Sequence, residues 1–342
     1  MVCLALASCE RFFDISDQVG EGIVWMTFIP SNDYDTTFFS LQATTPLAGK
    51  VEPVLTRDES VEVLVNGSPL VMKKYDKLLP PERLQFYMTD YRFSPGDIVK
   101  AMAEVPGSGA VSANCVVPEE FPSFEWTTRT MPGKTDWQRL IVDLSYDDDG
   151  EGGCYGAAVV QYCEKAGQWE EIDPETGEKY WGELEYSTQT RYLSPDSMID
   201  SNELSAFGET PVTASPRYYN TLSGNHPSVQ IWSDSPRKSN VSEKHSFTFA
   251  SKFFEYTDEY SEKYDGVRAH RNFYKYKYRL ALFSISDSYY SYLKARYNNE
   301  HASADFSSTG LAPASFVYTN VEGGAGVCGA YTVTYSDWIE LQ

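Results

Sequence analysis

The chain has 342 residues, 42% of them hydrophobic, and a formal net charge of −21. No stretch approaches the roughly 18 consecutive apolar residues that a membrane-spanning helix needs. So acidic a surface argues against nucleic acid as a partner and disfavours peripheral attachment to anionic lipid, so a membrane link would need an anchor.

The first ten residues are apolar up to Ser8 and then turn polar. An export signal combines a basic region, an apolar region and small residues before its cleavage site. The last two are present, the basic region is missing, and the apolar run is short. Leu6-Ala7-Ser8-Cys9 resembles the lipobox of bacterial lipoproteins, in which the cysteine thiol is acylated and the chain is cut before it. On this reading residues 1–8 are the remnant of a signal peptide whose start lies upstream. Cys9 carries the lipid, several acyl chains on one residue giving stable anchoring, and residues 9–20 form a polar tether. The competing reading is a buried N-terminal strand with two incidental cysteines, Cys3 and Cys9.

Strands are expected at Gly22 to Phe28 and Thr36 to Ala43. Val61 to Val65 runs into Asn66-Gly67, the strongest short hairpin signal, with Pro69 to Tyr75 as the return strand. Leu84 to Tyr91, the turn Ser94-Pro95-Gly96-Asp97, Ile98 to Val105 and Ala110 to Val117 complete the set. Short strands at this spacing predict an immunoglobulin-like β-sandwich over residues 21–118. Pro118 to Pro122 breaks the pattern and marks the boundary to a larger β-rich domain over 119–342.

In that second part strands are expected at Leu140 to Tyr146, Tyr155 to Tyr162, Lys179 to Tyr192, Ser228 to Trp232, His245 to Phe254 and Phe273 to Ile285. The Ser-, Pro-, Gly- and Asn-rich stretch from Ser194 to Asn225 reads as a long surface loop. The one helix is expected at Asp287 to Tyr297, capped by Ser286. Tyr289, Leu293 and Tyr297 share a face, with Asp287 in the first turn and Arg296 near the last. The fold class is therefore mainly β, with a single helix in the C-terminal third.

Cys115, Cys154, Cys163 and Cys328 remain beyond the N-terminal pair. Four cysteines allow three pairings. Cys154 and Cys163 lie at the two ends of one expected strand, about 30 Å apart if straight, so these two are not expected to pair. Free buried thiols are the default for all four.

Few motifs carry chemistry. Asp147, Asp149 and Glu151 sit on an acidic, glycine-rich loop whose oxygens would suit calcium, although the loop lacks the EF-hand spacing and reads more readily as a solvated hairpin tip. No other cofactor is implied. Gly324 to Gly329 fits G-x-G-x-x-G, but a strand follows where a dinucleotide site needs a helix, so the glycines are read as sharp turns or close backbone approaches. From Phe273 to Leu282 residues alternate: Tyr274, Tyr276, Tyr278, Leu280 and Leu282 on one face, Lys275, Lys277 and Arg279 on the other. The basic stripe reads either as a solvent face protecting a sheet edge or as a site for an anionic ligand or second subunit. Four histidines, none in H-E-x-x-H, and no G-x-S-x-G elbow give no sign of catalysis.

The segments Leu280 to Leu293 and Tyr318 to Ala330 resemble the closing signature of a Bacteroidetes lipoprotein family known as domain of unknown function four-two-four-nine. That signature is a Ser-x-x-Tyr-x-Tyr-Leu helix followed by Asn-Ile/Val-x-Gly-Gly-x-Gly-x-Phe-Gly-Ala. Here Cys328 stands where the family usually has Phe. The resemblance implies an outer-membrane lipoprotein, surface-exposed or facing the periplasm, that accompanies a TonB-dependent transporter in nutrient capture. It carries over no catalytic residue, only the lipidated cysteine. A structural or adhesin-like surface subunit is the alternative class, and a hydrolase the third.

Overall fold

The structure is a computed structural model that describes residues 23–33, 35–43, 59–75, 84–132, 138–147, 152–193, 212–214, 229–233, 242–251, 256–263, 267–306 and 318–341. Within them the first strands are β1 (Val24–Phe28), β2 (Thr37–Ala43), β3 (Ser60–Val65), β4 (Ser68–Leu70), β5 (Lys73–Lys74), β6 (Leu84–Thr89), β7 (Ile98–Val105) and β8 (Gly109–Val116). They are followed by β9 (Phe124–Pro132), β10 (Gln138–Asp147), β11 (Cys154–Ile172), β12 (Lys179–Trp181), β13 (Glu185–Tyr192) and β14 (Val212–Ala214). Then come β15 (Val229–Ser233), β16 (Ser242–Ser251), β17 (Tyr256–Lys263), β18 (Val267–Ile285), helix α1 (Asp287–Phe306), β19 (Ala325–Cys328) and β20 (Tyr331–Tyr335). The protein is mainly β, as expected.

Two sheets face each other in the first part, in the orders β19-β1-β2-β6-β5 and β4-β3-β7-β8. Alternation explains the layer between them. Val24, Met26, Phe28, Phe39 and Leu41 point inward from one sheet, and Val63, Val65, Val99, Ala101 and Val111 from the other. The β3–β4 turn is the expected Asn-Gly hairpin, with Asn66 at φ 51° and Gly67 at φ 80°. The expected return strand divides instead: β4 stays with β3, while β5 crosses to pair with β6 in the facing sheet.

One strand comes from far along the chain. β19 pairs in parallel with β1, Trp25 opposite Ala325 through Phe28 opposite Cys328. Residues 325–328 therefore lie in the same sheet as residues 24–28.

The second part is organised on β11 and β18, 19 residues each, paired antiparallel from Cys154–Ile285 to Trp169–His270. Near its start β11 also pairs with β15, and further on with β13 and β12; β18 pairs with β20 and, at the opposite end, with β17. One face of this eight-stranded sheet packs Ala157, Val159, Tyr278, Leu280 and Leu282 against the three-stranded sheet β16-β10-β9. The other face packs Ala158, Val160, Ala281, Phe283 and Ile285 against Tyr289, Tyr292 and Leu293 of α1 and against Val327, Tyr331 and Val333.

Four local expectations are corrected. β9 was not anticipated, because Phe124 to Pro132 is mostly polar and exposed: only one of its faces meets the core, through Phe124 and Trp126. Lys179 to Tyr192 is two strands interrupted at Gly182. The stretch from Ser194 to Asn225 contains β14, and its other residues lie outside the described ones. The helix starts at Asp287 as expected but runs to Phe306, so Arg296 sits mid-helix and the last turn has no basic residue. Tyr289 and Leu293 are buried together, while the Tyr297 side chain lies outside the description. The Ser286 hydroxyl also has a tertiary role: its Oγ accepts the Ala330 N–H at 2.8 Å, tying the helix start to the C-terminal strands.

Candidate functional site

The far half of the β11–β18 pair projects beyond α1 and presents one open face. Register fixes that face. Ala166 stands opposite both Tyr186 of β13 and Phe273 of β18, so these three side chains form a row on the same side of the sheet. Tyr186 is 77% exposed and Phe273 38%. On one flank lies Glu164 opposite Thr188 and Lys275; on the other lies Gln168 opposite Arg271. The Arg271 guanidinium sits 4.3 Å from the Trp181 ring centroid, a cation–π contact that extends the aromatic surface. Ile172, Tyr180 and Leu184 are further exposed apolar residues at this end. Clustered apolar exposure of this kind marks interaction surfaces.

The basic stripe lies on this same face, nearer the core, and the chain's own C-terminal segment covers part of it. Arg279 stacks between Tyr335 and Trp338, 3.8 and 4.7 Å from their ring centroids. Lys275 and Lys277 reach Glu340 at 3.6 and 3.7 Å. β18 pairs with β17 as far as Tyr274 and with β20 from Ala281 onward, so the stripe lies along the stretch between those two partners, where Ile339 bridges to Tyr278.

The opposite face is a packed interior with a polar seam. Gln161 Nε2 donates to the Tyr278 hydroxyl at 2.9 Å, and Arg191 Nε donates to Gln161 Oε1 at 2.7 Å. Burial raises the Tyr278 hydroxyl far above the ordinary phenol range. On this same side of the sheet, near the start of β11, His245 lies among Tyr146, Trp232 and Phe247, with ring centroids 5.9, 4.5 and 6.1 Å away. Burial there lowers its pKa to about 4, so the ring is neutral at physiological pH. Next to residues of the first sandwich, an open concavity of about 390 Å³ is lined by Ser60, Glu62, Met102, Glu104, Ser112 and Glu322. Its lining is acidic rather than aromatic.

Of the sequence-derived site residues only Asp147 lies among the described ones. Asp147 ends β10 with its side chain in solvent, and Asp149 and Glu151 lie outside the described residues, as does Cys9. Among the described residues no group of three His, Cys, Asp or Glu side chains converges on one point. Three surface carboxyl groups are held below the ordinary range: Asp90 by its bond to Lys73, Glu170 by Lys179, and Asp173 by the N–H groups of Thr176 and Glu175. That is the direction opposite to the one a general acid requires.

The C-terminal glycines serve packing. A Cβ on Gly323 would fall on the Ala110 carbonyl oxygen, on Gly324 on that of Val24, and on Gly326, at φ 112°, on that of Met26. Gly329 lies against Tyr289 of α1. Asn320 holds the same segment: its Nδ2 donates to Cys328 O at 2.7 Å and its Oδ1 accepts the Cys328 N–H at 3.0 Å. This is the close approach expected of the glycines, and it explains why the motif has its composition.

Over residues 10–337 the chain matches the family described as Domain of unknown function (DUF4249). The chain belongs to that family. The segment from Asn320 to Gly329 is the latch that seats β19 between β1 and α1. No curated protein and no solved structure matches the chain. The exposed row of Tyr186, Ala166 and Phe273 went unforeseen, because it depends on the register of three strands, and Ala166 and Phe273 stand 107 positions apart in the chain.

Proposed function

We propose that this DUF4249 protein is a lipoprotein, anchored through Cys9 in the outer membrane, whose β-rich body assists a TonB-dependent transporter in nutrient capture. The observation that carries the reading is the sequence Leu6-Ala7-Ser8-Cys9, with a polar stretch after it. The family match begins at residue 10, next to that cysteine, which fits a mature chain starting at Cys9. A body of net charge −21 gains little from anionic headgroups, so a covalent anchor is the means of attachment that suits it.

The first sandwich is read as immunoglobulin-like. With β19 set aside, β1-β2-β6-β5 and β4-β3-β7-β8 have the A-B-E-D and C′-C-F-G orders of that fold. The exposed row of Tyr186, Ala166 and Phe273, with Trp181 and Arg271 beside it, is the surface assigned to the partner or ligand. Aromatic rings and a planar cation on a rigid sheet supply stacking area at small entropic cost.

The test is co-purification from native envelope of the full chain carrying its export signal. A TonB-dependent transporter recovered with the wild type and lost from the Tyr186→Ala/Phe273→Ala variant is the expected result. Recovery of no transporter, with no hit in a binding screen against glycans, peptides and metal chelates, contradicts it.

One observation favours a second reading, a structural surface subunit. Seven of the eight β13 side chains are exposed, and among the described strands β13 pairs with β11 alone. An edge of this kind can template pairing with another chain. Sedimentation over a range of concentrations separates the readings: growing oligomers favour the subunit, and a monomer throughout removes it.

A further inference from the structure

Cys115 lies on β8 and Cys328 ends β19, so the two residues belong to the two facing sheets of the first sandwich. Both side chains are buried in the same apolar layer, and their Sγ atoms are 3.5 Å apart. One residue holds both backbones. Asn320 clamps Cys328 through its N–H and its carbonyl, and the same Asn320 Nδ2 donates to the carbonyl of Asn114, the neighbour of Cys115, at 3.2 Å. The Ser288 hydroxyl donates a second bond to the Cys328 carbonyl at 3.0 Å. A disulfide has an S–S distance of about 2.05 Å, so the sulfurs need to close by roughly 1.5 Å, a movement within the scope of side-chain rotation. Cys154 and Cys163 have no such relation, since they lie nine positions apart along one strand.

We infer that Cys115 and Cys328 form an inter-sheet disulfide when the chain folds in an oxidising environment. The oxidant is a disulfide, such as glutathione disulfide. The thiolate of one cysteine attacks it, forming a mixed disulfide and releasing one glutathione. The second cysteine sulfur then displaces the other glutathione. Two protein thiols are oxidised, one small-molecule disulfide is reduced, and the two protons leave on the released thiols.

The order of events follows from burial. The neighbouring Cys115 thiol and burial hold the Cys328 thiol well above the ordinary range, so in the folded protein it is a poor nucleophile, and both sulfurs are shielded from solvent. The bond therefore forms while β19 is docking and afterwards resists reduction. It closes a loop spanning a sequence separation of 213 residues and fastens the C-terminal strand to the first sandwich.

The cellular occurrence of the bond rests on the export reading, but its formation can be tested without it. The full chain is unfolded, reduced, and refolded in a glutathione redox buffer. It is then alkylated under denaturing conditions without reduction, digested and weighed. A peptide linking Cys115 to Cys328 is expected, with Cys154 and Cys163 alkylated. Reduction should lower the Tm of the refolded protein by roughly 5–10 °C, and should leave the Tm of a Cys115→Ala/Cys328→Ala variant unchanged. The linked peptide comes from the unaltered chain, so it decides the matter even if that variant fails to fold. Alkylation of both cysteines after oxidative refolding, or their linkage to other cysteines, overturns the inference. A linked peptide in refolded protein beside free thiols in protein taken from cells supports the pairing and counts against export alone.

Discussion

The two ends of the β11–β18 ladder share one continuous set of backbone bonds and differ in what covers them. At the near end every β11 residue from Tyr155 to Gln161 is buried, and both faces of the sheet are packed, one against β10 and β16, the other against α1 and Val327 of β19. At the far end burial fades along the strand, and Tyr186 and Phe273 stand in solvent. A strand covered on both sides reads as a continuous apolar run, and one covered on a single side reads as an alternation. Gly156-Ala157-Ala158-Val159-Val160 is the former, and Glu164 to Glu171 is closer to the latter. The same ladder thus anchors the fold at one end and presents surface at the other.

Substitutions at the two ends should separate these roles. The largest effect is expected for Phe283→Ala at the near end. Phe283, on β18, is wholly buried with its ring against that of Tyr331. Losing its ring should cost about 3–5 kcal/mol, measured by chemical denaturation, and a loss below 1 kcal/mol would mean that this end is not the packed one.

A second test uses pH. His245 belongs to the aromatic layer beneath the near end, and its pKa falls from 6.5 to about 4 on folding. Between these values the unfolded chain binds the extra proton, so stability rises with pH there. Full stability holds above pH 6.5, and about 3 kcal/mol is lost as the pH falls to 4. Denaturation midpoints across that range should follow this slope, and His245→Phe should flatten it.

The smallest effect is expected at the far end, where Phe273→Ala should change stability by no more than about 0.5 kcal/mol. A cost near that of Phe283→Ala would erase the distinction between the two ends.

Much of this arrangement was legible in local signals. The Asn66-Gly67 hairpin, the alternation of β18 and the Ser286 helix start all depend on neighbours a few residues away, and each is found where its chemistry places it. What could not be read is long-range. β19 pairs with a strand three hundred residues earlier, for which no local pattern exists. The glycines of Gly323 to Gly329 announced a close approach without naming Ala110, Val24, Met26 or Tyr289 as what they approach. The basic stripe was visible as an alternation, but its cover, Tyr335, Trp338 and Glu340, lies sixty residues further on. Of the candidate site, the residue types were visible and their shared face was not, because Tyr186 and Phe273 meet only through Ala166.

The central proposal, a body held at the outer membrane by acyl chains on Cys9, is tested most directly by metabolic labelling. The chain is expressed behind a complete export signal, as wild type and as Cys9→Ser, in cells given labelled palmitate. The wild type should take up label and sediment with the envelope, and Cys9→Ser should do neither. Label in neither form, with both still in the envelope, would contradict the anchor.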